Sequence, residues 1–334
     1  SRRYFFIRIS STSRESLGEL MTKSTTAELE LAYRISNCPI VEKAFCNPSH
    51  ECHKVVKWQA DEWNYKGNQI EGSPLHRPEA WTGQLTTAPI IFIASNPSFD
   101  MKEHFANWNK AEWQDSQIKD FGANRFISDQ NRKYGAIDSN DKLKRDRVIG
   151  KDGTLGSLVK HWDWVRRISA LVLNKSISEV SAITDYVMTE VVHCKSPKEQ
   201  GVWQQSIKTC SDRYLKDILE LSPAKLIFFA GVKAGKAFAE ANPNLVPDDW
   251  GSWGSSNKGK GQWPKTAKDF PKFITDGNWT LEKQMKNSFT TNFAGAERTL
   301  IYIARPGGGA GLNAPWKHSQ LFHPELLNYW RSKL

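Results

Sequence analysis

Residues 88–94 have the sequence APIIFIA, and the turn SNPS (95–98) follows them directly. A short apolar run that ends in turn residues is typical of a strand buried on both faces, as in parallel sheets. Similar runs occupy residues 186–192, 224–230 and 299–304, with segments of helical spacing between them. The pattern predicts an α/β/α three-layer sandwich around a four-stranded parallel sheet. Because such sheets bind ligands beyond the carboxyl ends of their strands, the residues just after each run are the candidate site.

The chain divides around this sheet into an N-terminal helical extension and a larger α/β domain. The extension covers residues 1–84 and the α/β domain covers residues 85–334. Two polar stretches, at about 100–154 and 243–298, contain few apolar runs and are predicted insertions in the second domain. We expect the extension to hold metal ligands and the α/β domain to hold the catalytic site.

Two helices are predicted outside the strand-to-strand connections. The pair Thr25 and Glu28 forms a capping pattern, which predicts a helix from about Ala27 toward Phe45. Apolar residues at helical spacing, ending at an asparagine, predict another helix from Leu155 to Asn174.

Composition excludes several classes of protein. The chain of 334 residues has 46 Lys and Arg against 36 Asp and Glu, a net charge of +10 that favours a polyanionic partner. Five cysteines cannot pair completely into disulfides. The sequence holds no apolar run of about 18 residues, the length that spans a membrane. We therefore expect a cytoplasmic, monomeric protein that does not associate with membranes.

Two cysteines mark the end of the second predicted strand and the helix after it. Cys194 follows that strand, and Cys210 lies sixteen residues later in the sequence. Their surroundings resemble the iron–sulfur branch of the uracil-DNA glycosylase superfamily over about residues 187–240. The matching residues are T-x-V-V-x-C-K-x-P (189–197), Tyr214-Leu215, Pro223-Ala224-Lys225 and Gly231.

The resemblance implies a metal centre held by four thiolates. In that branch two N-terminal cysteines complete the set, and here Cys46 and Cys52 would join Cys194 and Cys210, with Cys38 competing for a place. Four thiolates from distant segments suit a [4Fe–4S] cluster or, alternatively, a tetrahedral zinc ion. The cluster would be structural and would hold the extension against the sheet. Buried free thiols are the other interpretation.

The turn after the first strand resembles the first catalytic motif of the superfamily. Asn96 occupies the water-positioning place, and an amide orients water by hydrogen bonds because it cannot take a proton at neutral pH. Asp100 is the nearest carboxylate and a second catalytic candidate. The resemblance also implies that Ser95 contacts the base and Ser98 contacts DNA. An ordinary Asn-Pro turn is the alternative.

The segment after the last strand resembles the second motif. Arg305 replaces the usual histidine, and its guanidinium would stabilise negative charge on the departing base. A glycine-rich loop follows, in which Leu312 resembles the wedge that fills the space left by a flipped nucleotide. Gly307, Gly308 and Asn313 of this loop would contact DNA. A loop without a wedge, or a loop that binds phosphate through its amides, is the alternative.

Glu190 lies where the iron–sulfur branch has an asparagine that contacts the base. An ionised carboxylate only accepts hydrogen bonds, so it would favour the amino group of cytosine over O4 of uracil. Protonation by burial would weaken this preference, and a glutamate that faces solvent or pairs with Lys195 would have no such role. A phenylalanine should stack on the base, and Phe105 and Phe126 are the candidates.

These features together predict a DNA glycosylase that flips a nucleotide out of a duplex and hydrolyses its N-glycosidic bond. A cytosine modification absent from the host, such as a sugar-modified hydroxymethylcytosine of a phage, is the favoured substrate, as in antiviral members of the superfamily. A uracil-DNA glycosylase and a catalytically silent protein that binds modified DNA are the alternatives. Lys258 and Lys260, in the segment NKGKGQWPK (257–265), would follow the DNA backbone.

Overall fold

The computed structural model describes residues 24–101, 103–125, 146–150, 152–250, 280–303 and 322–334. A short 3-10 helix spans Pro197–Glu199. The described α-helices are α1 (Thr26–Ser36), α2 (Pro39–Cys46), α3 (His53–Glu62), α4 (Asp115–Asn124), α5 (Lys160–Leu173), α6 (Gln204–Leu221), α7 (Val232–Ala241), α8 (Leu281–Met285) and α9 (Pro324–Arg331). The described strands are β1 (Ile90–Ala94), β2 (Arg147–Ile149), β3 (Leu155–Leu158), β4 (Val187–Glu190), β5 (Leu226–Ala230), β6 (Ser288–Phe293) and β7 (Ala296–Ile303).

The main sheet has the strand order β4-β1-β5-β7-β6. The four strands predicted from the sequence are present, and β4, β1, β5 and β7 pair in parallel. The α/β class is therefore confirmed. A fifth strand, β6, pairs antiparallel with β7 inside the predicted insertion at 243–298. Its sequence SFTTNF is half-buried and lacks an apolar run, so the pattern of a buried strand does not detect it.

A two-residue turn joins β6 to β7. Phe293 pairs with Ala296, so only Ala294 and Gly295 lie between the strands. Both turn residues have positive φ angles, 49° and 78°. Tight antiparallel hairpins require this left-handed backbone, since it matches the twist of the strands.

Helices pack against both faces of the sheet. On one face, Ile91 and Phe229 share an apolar core with residues of α1, α2, α3, α6 and α7. On the other face, Phe92 and Phe228 share a second core with residues of α5 and α9. Because the helices of the N-terminal extension belong to the first core, they hold the segments between them close to one face of the sheet.

Two predicted helices are wrong in extent. The helix expected from Ala27 toward Phe45 is two helices, because Pro39 starts α2 and proline cannot continue the backbone hydrogen bonding of α1. The helix expected from Leu155 begins only at Lys160, because Leu155–Leu158 forms a hairpin with β2. Its predicted end is correct, since Asn174 caps it in the left-handed conformation.

No helix in the described part of the chain is long and apolar enough to cross a membrane.

Arg298 of β7 joins the end of α6 to the sheet. Its buried guanidinium donates to the carbonyl oxygens of Leu219 at 2.7 Å, Ser222 at 2.8 Å and Ala224 at 2.9 Å. The carbonyl oxygens in the last turn of a helix have no hydrogen-bond partner within the helix. Arg298 supplies the donor for some of these oxygens at the end of α6. This contact fixes the orientation of α6, the helix that carries Cys210.

Replacing Arg298 should destabilise the fold. Arg298→Met should lower the free energy of unfolding by about 3 kcal/mol, because buried carbonyl oxygens lose a charged donor. Urea denaturation measures this change. Glu297→Gln, an exposed change on the same strand, is the control and should stay within about 0.5 kcal/mol of the wild type. Equal effects from the two variants would contradict the role given to Arg298.

Candidate functional site

The candidate site lies where β1 and β4 end. Ala94 pairs with Glu190 in the sheet. Beyond this pair, the amide of Val191 donates to the carbonyl oxygen of Ala94 at 2.9 Å, and the amide of Val192 donates to that of Ser95 at 3.0 Å. The two segments therefore stay side by side after the strands, which brings the turn of Asn96 next to the segment that follows Glu190.

The side-chain amide of Asn96 is held in one orientation. Its Nδ2 donates to Ser196 Oγ at 2.9 Å and to the carbonyl oxygens of Ser196 at 3.2 Å and Pro97 at 3.0 Å. Carbonyl oxygens only accept, so the NH₂ group must face them, and Oδ1 points elsewhere. Asn96 is half-buried, and Oδ1 can accept a hydrogen bond from water. This geometry suits a group that positions water.

The other residues of the first motif differ in exposure. Ser95 is buried beside the end of β4, whereas Ser98 and Asp100 are exposed. The backbone carbonyl of Asp100 accepts from the amide of Glu103 at 3.1 Å, so the chain turns here. Asn96 is thus the half-buried member of this turn, and its side chain is held at the sheet edge by hydrogen bonds.

A buried ring of four charged side chains, called here the ion-pair ring, consists of Glu79, Glu103, Arg125 and Lys195. None of the four has a place in the site predicted from the sequence. Arg125 contacts Glu79 at 2.6 Å and also pairs with Glu103. Lys195 Nζ lies 2.6 Å from Glu79 Oε2 and 3.2 Å from Glu103 Oε2. Each of the four residues is at most 7% exposed. No spacing in the sequence signals this ring, because its members come from four separate segments.

Phe105 packs against the ion-pair ring. Lys195 Nζ lies 4.1 Å and the Arg125 guanidinium 4.7 Å from the ring centre of Phe105. His76 stacks on it at 5.2 Å between centroids, and Phe105 is 3% exposed. Phe105 therefore offers no open face to a base in this structure, contrary to the expectation from the sequence.

Phe99 is an aromatic ring that the sequence reasoning did not single out, and it is less buried than Phe105. It follows Asn96 by three residues and is half-buried. Its ring contacts Trp58 at 5.2 Å and His76 at 5.0 Å between centroids. The run SNPSF is the signal that could have identified it, since an aromatic residue there lies beside the water-positioning turn.

Glu190 is buried next to the ion-pair ring. Its side-chain atom Oε2 has no hydrogen-bond partner among the described residues, and the residue is 9% exposed. Burial, and then the charge of Glu79, raises the pKa of Glu190 well above its ordinary value, although Lys195 and Arg125 oppose this shift. Neither solvent exposure nor an ion pair with Lys195 therefore accounts for Glu190.

A neutral Glu190 changes the argument about the base. A protonated carboxyl group has one donor and one acceptor, as an amide has. The expectation of cytosine over uracil depended on a carboxylate that only accepts. In its neutral form, Glu190 matches the Watson–Crick edge of either pyrimidine.

The raised pKa of Glu190 predicts a pH-dependent stability. The contribution of Glu190 to the free energy of unfolding is fully present below the ordinary carboxyl pKa of about 4.3. This contribution is lost as the pH rises toward the pKa of Glu190 in the folded state. Glu190→Gln keeps a neutral group of similar shape, so its folding equilibrium constant should gain about tenfold on the wild type per pH unit in that window. Chemical denaturation between pH 5 and 7 measures this. Glu62→Gln, at an exposed site, is the control, and a difference independent of pH would contradict a neutral Glu190.

The structure favours Cys38, rather than Cys46, as the fourth thiol of the predicted centre. Cys38 and Cys52 are buried in the first core, and Cys194 and Cys210 pack against the same core. The backbone amide next to Cys194 donates to Cys210 Sγ at 3.4 Å. Cys46 is exposed, with its Sγ 3.4 Å from the carbonyl oxygen of Asn68.

Electrostatic interactions show the same grouping. Burial, and then the charge of Cys38, raises the pKa of Cys52 to about 12. Burial, and then Cys210, Cys52 and Cys38, raises the pKa of Cys194 well above its ordinary value. Thiols held together in this way need a cation to ionise, and a metal centre supplies one. Their chemistry therefore fits a thiolate-bound metal.

The spacing of the thiols bears on which metal would fit. No three His, Cys, Asp or Glu side chains in the described part of the chain meet closely enough to hold a metal ion. A single tetrahedral zinc ion requires sulfur atoms about 4 Å apart, given Zn–S bonds of about 2.3 Å. A four-iron cluster holds its thiolates further apart, so the two metal groups require different spacings of the sulfur atoms.

A matched pair of cysteine variants tests the ligand set. Cys38→Ser should lose most of the iron and sulfide of protein purified without oxygen, because serine replaces a thiolate ligand. Cys46→Ser should retain them. Metal analysis and the visible absorption spectrum measure both variants. Loss of iron from Cys46→Ser with retention in Cys38→Ser would reverse the assignment, and stoichiometric zinc in colourless wild-type protein would replace the cluster.

Several predicted site residues lie outside the described residues. They are Phe126, Lys258, Lys260, Arg305, Gly307, Gly308, Leu312 and Asn313. Their places relative to Asn96 and Glu190 remain predictions from the sequence.

No family model matches the chain, and no curated protein matches it. The resemblance to the uracil-DNA glycosylase superfamily therefore depends on the motifs alone.

Proposed function

We propose that this protein is a DNA glycosylase that hydrolyses the N-glycosidic bond of a flipped, modified cytosine. One observation carries the proposal. The fixed side-chain amide of Asn96 follows the end of β1, and Glu190 lies at the end of the neighbouring strand β4. Glu190 has a buried carboxyl group whose Oε2 has no hydrogen-bond partner among the described residues. One group is suited to water and the other to the edge of a base. This pairing favours hydrolysis over binding alone.

Asn96 would act by orienting water. Its Oδ1 accepts a hydrogen bond from the water, whose oxygen then faces the sugar carbon that is losing the base. The bond from C1′ to the base breaks and the water oxygen bonds to C1′. One proton of the water stays on the new C1′ hydroxyl group, and the other passes through solvent to the departing base. Because the amide takes no proton, positioning rather than general-base catalysis is its contribution. Arg305 would stabilise the negative charge that develops on the base.

Glu190 would read the base in its neutral form. Its OH donates to N3 of cytosine, and its carbonyl oxygen accepts from the N4 amino group. Uracil fits the same two atoms in reverse, with O4 accepting and N3–H donating. The substrate of first choice is a modified cytosine, because release of plain cytosine would damage the host's own DNA.

The four thiols Cys38, Cys52, Cys194 and Cys210 would hold the metal centre, with a [4Fe–4S] cluster as the favoured group. Bound there, the group supplies a structural link between the N-terminal helices and the segment after β4. Because Lys195 follows Cys194 directly, thiolate ligation at Cys194 would also hold in place the backbone that carries Lys195 of the ion-pair ring.

The partner in this proposal is double-stranded DNA with one modified base. Lys258 and Lys260 would contact its phosphates, and Leu312 would fill the gap left by the flipped nucleotide. A monomer in the cytoplasm suits an enzyme that meets invading DNA, and the net charge of +10 favours such a partner.

Asn96→Ala tests the reaction. The variant should release the base at least about 100-fold more slowly in single-turnover assays, because water is no longer oriented. Its affinity for the DNA should change little. Asn68→Ala, at an exposed asparagine, is the matched control. An Asn96→Ala variant as fast as the control would contradict the role given to Asn96.

Four duplexes identify the substrate. They carry glucosylated hydroxymethylcytosine, hydroxymethylcytosine, uracil or plain cytosine at one position. We expect release of a modified cytosine. Release of uracil alone would support the proposed hydrolysis but contradict modified cytosine as the substrate. Binding of modified DNA without release from any duplex would identify a catalytically silent binder.

A further inference from the structure

The loop at residues 196–202, called here the strained loop, has two consecutive residues with a left-handed backbone. Lys198 has φ and ψ angles of 49° and 33°, and Glu199 has a φ angle of 60°. This region is unfavourable for L-residues, and asparagine and aspartate tolerate it better than lysine and glutamate do. Such strain persists only where the surrounding structure imposes it, and it is common where proteins clamp a ligand.

The strained loop is anchored at its start to the turn of Asn96. The amide of Ser196 donates to the carbonyl oxygen of Pro97 at 3.1 Å, and Asn96 Nδ2 donates to Ser196 Oγ at 2.9 Å. Lys198 follows Ser196 by two residues, which span at most about 7 Å of chain. The backbone of Lys198 therefore lies close to the side chain that is proposed to orient water.

The other end of the strained loop is anchored to α3 and α7. Gly201 packs so closely on α3 that a Cβ atom there would lie 2.5 Å from the backbone nitrogen of Val55. Lys233 of α7 donates to the carbonyl oxygen of Val202 at 2.9 Å, and its Nζ lies 3.1 Å from Oε2 of Glu199. The two strained residues are thus held between two fixed ends.

These contacts leave one charge of the strained loop unbalanced. The carboxylate of Glu199 is paired with Lys233. Lys198 is exposed, and no carboxylate in the described part of the chain pairs with it. Packing accounts for the anchored ends, but it does not account for a lysine where glycine would adopt the same backbone with less strain. A negatively charged ligand of the ammonium group accounts for this choice.

We propose that Lys198 binds a backbone phosphate of the flipped nucleotide, and that the strained loop presents its ammonium group for this contact. The proposal rests on the function proposed above and adds a substrate-binding residue to it. The phosphates on both sides of a nucleotide are attached to its sugar, so a cation here can hold the nucleotide whose C1′ faces Asn96. Lysine suits the role, because its ammonium group has three donors and binds phosphate as a point charge.

Binding of product-like DNA tests the contact. The probe is a duplex with one tetrahydrofuran abasic site, which has no base to release and so does not depend on the base that the protein prefers. Lys198→Gln should weaken binding about tenfold, and should reduce the slope of log affinity against log salt by about 0.9. Lys198→Arg keeps the charge and should bind like the wild type. Lys216→Gln is the matched control, because Lys216 is exposed and lies in the half of α6 that leads toward the start of β5.

Neutral phosphates locate the contact on the DNA. A second duplex carries methylphosphonates at the two phosphates that flank the abasic site, and a third carries them one helical turn away. The wild type and Lys198→Gln should bind the second duplex equally, and the difference between them should return with the third. The same difference on both duplexes would place the contact elsewhere and overturn the proposal.

The backbone strain gives a measurement that needs no DNA. Lys198→Gly relieves the left-handed backbone, so the equilibrium constant for unfolding should fall about threefold in urea denaturation. The same variant should lose as much DNA affinity as Lys198→Gln does. A Lys198→Gly variant that loses both stability and affinity would mean that the lysine only supports the fold, and would overturn the proposal.

The outcomes also separate this proposal from the proposed function. If Lys198→Gln binds the abasic duplex as tightly as Lys216→Gln while the wild type releases a modified cytosine, the phosphate contact is overturned and the glycosylase stands. If Lys198→Gln shows the expected loss but the wild type releases no base, the contact is supported and hydrolysis is contradicted. A wild type that binds no DNA would overturn both.

Discussion

Strands β1 and β4 keep their parallel hydrogen bonds beyond their ends, through Val191 and Val192. This backbone pairing sets the distance between the turn of Asn96 and the segment that continues to Cys194 and Lys195. The pairing also defines the face on which each side chain lies, since a slip of one residue would turn all of them to the opposite face. The fixed amide of Asn96, the buried carboxyl group of Glu190 and the thiols after β4 all depend on this one register.

The side chains near the ends of β1 and β4 are largely buried from water, and this burial explains how their charges are arranged. Charges there must be balanced within the protein, and the ion-pair ring and Glu190 are one example. The thiols of Cys52 and Cys194 are another, because burial raises the pKa of each. Cys38 and Cys52 each lie at the N-cap of a helix and form no side-chain capping hydrogen bond. The amides at a helix N-terminus favour negative charge, so both places would stabilise a thiolate.

The sequence predicts the parts of the molecule that depend on local pattern. The four apolar strands are one case, and the pair Cys194 and Cys210 within its motif is another. Contacts between distant segments are different, because nothing in the spacing of Glu79, Glu103 and Arg125 reveals that they meet. Cys46 lies closer in sequence to Cys52 than Cys38 does, yet the helix Pro39–Cys46 carries it to the surface. Strand β6 was missed because half-buried edge strands carry polar residues.

The contacts of the site also span long stretches of chain. Lys195 and Glu79 are 116 residues apart, and Asn96 and Ser196 are 100 apart. Closing loops of this size is slow, whereas helices and the β6–β7 hairpin form from neighbouring residues. The site should therefore assemble late in folding, after the sheet has formed and the N-terminal helices have docked on it. A chain emerging from the ribosome would therefore lack the assembled site until β7 (Ala296–Ile303), the last strand of the parallel sheet along the chain, has been synthesised.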